Sequence, residues 1–117
     1  MEHSMGNIFI RPNEVEKAGD FIEGHKHNFD HVTLIRRGRF RIEVLEDISA
    51  AAVEGGAIPK VLKAVEKSAG EYVLIRAELV HRLTALEDHS AFLCIYAHRT
   101  PQGDVVQEYT GWEHAFR

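Results

Sequence analysis

The stretch that decides the fold spans residues 32–44 and reads VTLIRRGRFRIEV. Its first four residues are rich in β-branched side chains, which favour a strand. After a turn at Arg37-Gly38, the residues from Phe40 to Val44 alternate between apolar and polar, as in a strand with one buried face. The stretch therefore predicts two strands joined by a glycine turn, and the basic residues around Gly38 belong to that turn.

Further short apolar segments follow this stretch, each bounded by turn residues. The predicted strands span residues 61–66, 72–75, 81–86, 92–98 and 105–109. The segment 92–98 is apolar on both faces, which predicts a strand buried on both sides. Short strands at near-regular spacing predict an all-β sandwich or barrel.

One segment does not fit the strand pattern. Residues 50–57 read AAAVEGGA, which indicates either a helical turn or the tip of a long hairpin, and Pro59 limits any helix. No repeat at a fixed period and no linker interrupts the chain. We therefore expect residues 1–117 to form a single domain.

Composition excludes several classes of function. The chain has 117 residues and a formal net charge of −4, which argues against nucleic acid as a partner. Its single cysteine, Cys94, excludes an internal disulfide and a cysteine-rich zinc site. No stretch approaches the ~20 apolar residues of a membrane span, and the N-terminus lacks the pattern of a signal peptide. We expect a cytoplasmic protein with a small-molecule partner and no membrane partner.

Histidine is the residue type that indicates a functional site. Residues 24–31 read GHKHNFDH and carry three of the eight histidines. In an extended strand His25 and His27 would share a face, and His31 keeps the same even spacing. Neutral imidazole is a good ligand for zinc, copper, iron and nickel. This pattern alone indicates either a metal site or polar residues on a solvated sheet edge.

The spacing around these histidines resembles the first motif of the cupin family. That motif consists of H-x-H, three residues, a third ligand, six residues and glycine, which matches His25, His27, His31 and Gly38. The third ligand in cupins is usually glutamate, and histidine at this position is typical of a subset with four histidine ligands. The resemblance therefore implies a metal site that includes His31.

A second segment resembles the second cupin motif, in which glycine, five residues, Pro-x-Gly and two residues precede a ligand histidine. Gly70 and His81 match its two ends, whereas Arg76 replaces the proline and Glu78 replaces the glycine. These departures put the tight turn before His81 in doubt. Together the two motifs imply a double-stranded β-helix, the cupin jelly roll, with His81 as the fourth ligand, and they imply a homodimer.

The implied ligand set has a chemical consequence. Four neutral imidazoles would leave one divalent transition metal ion (Fe, Mn, Ni, Cu or Zn) with its full charge, which attracts an anion. An octahedral ion with four protein ligands also keeps two open positions. The leading hypothesis is a metal-dependent dioxygenase acting on a small anionic or chelating metabolite.

Two other classes of function stay open at this point. One is a binding or sensing cupin that holds a small ligand without turnover. The other is a metal-free isomerase or epimerase, which needs an acid–base pair. Tyr96 and His98, which share a face of their predicted strand, are weak candidates for that pair or for a catalytic role beside the metal.

Alternation also predicts which side chains surround the site. Thr33 and Ile35 should point inward with His31, and Leu83 and Ala85 should point inward with His81. The cavity would then be mainly apolar with a polar centre, as in small-molecule pockets generally. Asp30 and Glu23 flank the ligands and could orient an imidazole. The aromatic residues Tyr109, Trp112 and Phe116 predict a C-terminal tail that packs on this barrel or on a partner subunit.

Overall fold

The structure is a computed structural model that describes residues 3–25, 27 and 29–98. Within these residues the chain forms nine β-strands and one short helix. In chain order the elements are β1 (His3–Met5), β2 (Ile8–Val15), β3 (Phe21–His25), β4 (His31–Arg37), β5 (Arg39–Leu45), α1 (Ala50–Glu54), β6 (Val61–Ser68), β7 (Tyr72–Ile75), β8 (Val80–Ala85) and β9 (Ser90–Ala97).

The strands form two antiparallel sheets. One sheet has the strand order β1-β2-β9-β4-β7, and the other has the order β3-β8-β5-β6. Consecutive strands repeatedly change sheets, as in a jelly roll. The all-β prediction is confirmed.

Gly38 carries the chain from one sheet to the other, because β4 ends at Arg37 and β5 begins at Arg39 in the opposite sheet. Its φ is +75°, a left-handed conformation that glycine adopts at low cost. A Cβ at this position would collide with the side chain of Ser90. The predicted turn is therefore present, and it connects two sheets rather than two paired strands.

The core lies between the two sheets. Phe40 and Phe92 come from opposite sheets and meet edge to face, with ring centroids 5.1 Å apart. Alternation correctly predicted the inward side chains on β4 and β8. The relative exposures are 0% for Thr33 and Ile35, 2% for Leu83 and 0% for Ala85.

One segment prediction is wrong, some strands were not predicted, and one open alternative is resolved. Burial of residues 92–98 on both faces is wrong: Leu93 and Ile95 on the outer face of β9 are half-buried, because no described layer covers that face. The strands β1, β2 and β3 had no counterpart in the prediction. Residues 50–57 contain a helical turn, which the Ser49 hydroxyl caps by accepting the Ala52 N–H at 3.1 Å.

Two further points concern membrane spans and the C-terminal segment. In the described part of the chain, no helix is long and apolar enough to cross a bilayer. The predicted strand at 105–109 and the aromatic tail lie outside the described residues.

Candidate metal centre

Three imidazoles meet at one end of the space between the sheets. His27 lies in the connection between β3 and β4, His31 is the first residue of β4, and His81 is the second residue of β8. Their ring centroids are 5.1 to 5.5 Å apart. Their relative exposures are 8%, 3% and 1%, so the solvated-edge alternative is wrong for these three residues.

The donor set fits a transition metal ion. One ring nitrogen from each of His27, His31 and His81 lies within 4.8 Å of the others. Metal–imidazole bonds of about 2.1 Å place the nitrogens of neighbouring ligands about 3.0–3.4 Å apart. A small inward movement of the rings would therefore bring all three to bonding distance. Imidazole is also the donor that zinc, copper, iron and nickel favour.

The orientation of one ligand is set by the backbone. The Nδ1 of His81 lies 3.0 Å from the carbonyl oxygen of Leu79. Because a carbonyl oxygen only accepts hydrogen bonds, Nδ1 carries the proton and Nε2 keeps its lone pair for a metal. Metal-binding histidines in proteins are commonly fixed in this way.

The turn before His81 keeps its tight form despite the sequence departures. Glu78 has a φ of +66°, a conformation that suits glycine, the residue of the cupin motif at this position. A non-glycine residue there costs roughly 1–2 kcal/mol. The doubt about this turn is therefore resolved, and the glutamate is accommodated with strain.

The turn at Ala77 and Glu78 is also hydrogen-bonded to His27 and Asp30. Glu78 donates its backbone N–H to the His27 carbonyl at 2.7 Å, and Ala77 donates its N–H to Asp30 Oδ1 at 2.7 Å. Asp30, which the sequence offered as a residue that could orient an imidazole, accepts a hydrogen bond from the backbone of this turn. The side chain of Glu23 lies outside the described residues.

His25 can be placed by its backbone alone. It ends β3 directly opposite His81 in the antiparallel register with β8. Its side chain lies outside the described residues, so the structure brings together three of the four predicted ligands. The idea that His25 and His27 share one extended strand is wrong, because β3 ends at His25 and His27 follows in irregular backbone.

Phe29 forms an aromatic wall that the sequence analysis missed. Its ring is stacked on His27, with centroids 4.8 Å apart, and it packs on Tyr96 at 4.6 Å. It is 7% exposed. An aromatic residue between two ligand histidines was the signal that could have found it.

The two weak catalytic candidates, Tyr96 and His98, are not part of the cluster of three imidazoles. Tyr96 and His98 both pack on Phe9, with centroid distances of 5.2 and 5.3 Å. His98 Nε2 is 2.6 Å from the hydroxyl of Ser4 in β1. Phe29 thus contacts both His27 and Tyr96, and His98 lies at the rim beside Ser4.

Cys94 lies on the inner face of β9, opposite Thr33 in β4 and Arg11 in β2. Burial raises the pKa of its thiol to about 11, and this outweighs the lowering of the pKa by the Thr33 hydroxyl and the Arg11 charge. The thiol is therefore protonated at neutral pH. This state suits a buried packing residue rather than a nucleophile or a metal ligand.

The sequence matches no protein-family model and no curated protein. Solved structures, by contrast, resemble the chain closely enough to establish its fold. KdgF from Halomonas sp. aligns with a TM-score of 0.62 at 17% identity, over 86% of this chain and 78% of that one. A cupin-2 domain protein from Shewanella frigidimarina aligns with a TM-score of 0.58 at 17% identity, over 81% and 74%.

Oxalate oxidase gives a TM-score of 0.55 at 14% identity, and the match covers 76% of this chain and 40% of that one. Identities this low establish the fold alone. The chain has the cupin fold, and the predicted double-stranded β-helix is confirmed.

Proposed function

We propose that this cupin-fold chain binds one divalent transition metal ion through His27, His31 and His81, with His25 as the fourth ligand. We further propose that it is a metal-dependent dioxygenase acting on a small anionic or chelating metabolite. The observation that carries the metal site is the buried cluster of three imidazoles with donor atoms within 4.8 Å. The register of His25 opposite His81 supports the fourth ligand.

The donor set supports an anionic substrate. A bound ion of this kind supplies Lewis acidity and open coordination positions for a chelating substrate and dioxygen. Imidazole ligands are neutral, so they cancel none of the charge of the ion. The site therefore attracts an anion more strongly than the commoner cupin site with a glutamate ligand would.

The surrounding residues support reactivity by excluding water. Phe29 covers His27, Ile75 is 4% exposed and lies opposite His31, and Val44 lies opposite His81. Apolar side chains around a charged centre strengthen its electrostatic attraction for an anion. Leu79 and the Glu78 turn hold the imidazoles in place before substrate binds.

The binding or sensing cupin is the second candidate, and the position of Tyr96 favours it. This candidate acid–base side chain packs on the apolar rings of Phe9 and Phe29, with centroid distances of 5.2 and 4.6 Å. A protein that only binds a small ligand, through the metal ion and the shape of the cavity, needs no acid–base group. The metal-free isomerase is less well supported, since His98 is hydrogen-bonded to Ser4 at the rim.

Oxygen consumption separates the enzyme from the binding module. The Fe(II), Mn(II), Ni(II) and Cu(II) forms of the protein are each mixed with a panel of small chelating acids and enolisable diketones in an oxygen electrode. The enzyme hypothesis predicts oxygen uptake with at least one substrate, and loss of that uptake in His27→Ala. Reversible binding across the panel with no uptake by any metal form would favour the binding module.

His89→Asn is the matched control for the histidine substitution. His89 is exposed in the turn before β9, outside the imidazole cluster, and its φ is +55°. Asparagine tolerates this left-handed conformation better than alanine does. The control removes one imidazole without disturbing the site, so it should retain the activity of the native chain.

A further inference from the structure

Two hydrogen bonds connect the segment that carries His27 to the turn that precedes His81. The first runs from the Glu78 N–H to the His27 carbonyl, and the second from the Ala77 N–H to Asp30 Oδ1, each at 2.7 Å. The first bond involves a ligand residue itself. The second involves Asp30, the residue immediately before the ligand His31.

These bonds join the three imidazoles into one unit. His27 and Asp30 lie outside the described strands, whereas His31 is the first residue of β4 and pairs with Ile75 in β7. The turn at Ala77 and Glu78 leads directly into β8 and His81. The two bonds to this turn therefore constrain where His27 and the start of β4 lie relative to His81.

We infer that Asp30 is a positioning residue of this site, acting through Ala77 to set the geometry of His27 and His31 relative to His81. This inference rests on the proposed metal site. Asp30 is exposed, so its carboxylate bond contributes modestly to folding. Its contribution to ligand geometry is larger, because substitution of groups that orient metal ligands typically weakens metal affinity 10–100-fold.

The chain supplies a matched control for this bond. Asp88 Oδ1 accepts the backbone N–H of Ala18 at 2.9 Å, also at an exposed turn. It is the same kind of bond between a carboxylate and a distant turn. Asp88 is not part of the imidazole cluster. Any general effect of losing such a bond should therefore appear equally in Asp88→Ala.

The test uses Co(II) as the probe, because its visible absorption reports coordination geometry. Co(II) affinity and spectrum are measured for the native chain, Asp30→Ala, Asp30→Asn and Asp88→Ala, and circular dichroism of each metal-free protein checks the fold. We expect Asp30→Ala to bind Co(II) at least about tenfold more weakly with an altered spectrum. Asp30→Asn keeps an acceptor oxygen and should restore affinity to within about threefold of native, while Asp88→Ala should bind as the native chain does.

Several results would overturn the inference. Native affinity and spectrum in Asp30→Ala would show that the bond does not position the ligands. If Asp30→Asn weakens Co(II) binding as much as Asp30→Ala does, the loss of the negative charge causes the effect. If Asp88→Ala also weakens it equally, the effect is not specific to the turn before His81. Loss of the metal-free fold in Asp30→Ala alone would make Asp30 a folding residue. Failure of the native chain to bind Co(II) is a separate result, which would reject the metal site itself.

Discussion

The ring of Phe29 lies on the imidazole of His27, with centroids 4.8 Å apart and planes inclined by 29°. Phe29 is 7% exposed although it lies outside the strands, in the connection before β4. It therefore has two roles that can be separated by experiment. It contributes apolar burial to the fold, and it shields one ligand from water.

Phe29→Ala should reduce the free energy of unfolding of the metal-free protein by about 3 kcal/mol, the usual cost of truncating a buried phenylalanine. Urea denaturation of the two proteins measures this difference. Phe21→Ala is the control, since Phe21 is 48% exposed and its loss should cost far less. Equal losses in the two variants would show that Phe29 is not buried as described.

Glu78→Gly should stabilise the metal-free protein by about 1 kcal/mol, because glycine adopts a positive φ without the steric cost that glutamate bears. Glu87→Gly is the matched control. Glu87 is exposed and does not have a positive φ, so glycine there should be neutral or destabilising. Destabilisation by Glu78→Gly in urea denaturation would contradict the strained turn.

Cys94 should make stability fall at high pH. Its pKa is raised from 9.0 to about 11 in the folded chain, so below pH 9 the thiol is neutral in both states and has no effect. Between pH 9 and 11 the unfolded chain ionises first, which lowers stability by up to about 1.4 kcal/mol per pH unit. Urea denaturation measures the free energy of unfolding of the native chain and of Cys94→Ala. Over this pH range the native chain should lose stability relative to Cys94→Ala. A difference that stays constant from pH 8 to 10.5 would contradict this prediction.

Side-chain alternation predicted the strands that meet in the core. The regular spacing on β4 and β8 correctly placed Thr33, Ile35, Leu83 and Ala85 inside. The strand β2 was missed because Pro12 interrupts its pattern. Among the described residues, β1 pairs with β2 only as far as Ile10, so Pro12 has no described strand partner on that side, where a missing N–H is tolerated.

The site was only partly predictable for a different reason. The spacing of His27, His31 and His81 resembled a known motif, and the structure brings these residues together. The backbone between His27 and His31 depends on bonds to a turn about 50 residues away in the chain, and local sequence does not encode them. The left-handed backbone conformation of Glu78 could not be predicted either, since glutamate does not favour that conformation. The homodimer and the cytoplasmic location stay predictions.

The metal content of the protein shows whether His27, His31 and His81 bind a metal ion. The untagged chain is purified, equilibrated with a mixture of divalent transition metals, freed of excess metal by gel filtration and analysed for its elements. We expect about one metal ion per chain in the native protein and in His89→Asn, and loss of that ion in His27→Ala, His31→Ala and His81→Ala. If the native protein retains no metal, the proposed metal site is wrong. If the three variants retain the metal fully, these histidines are not its ligands.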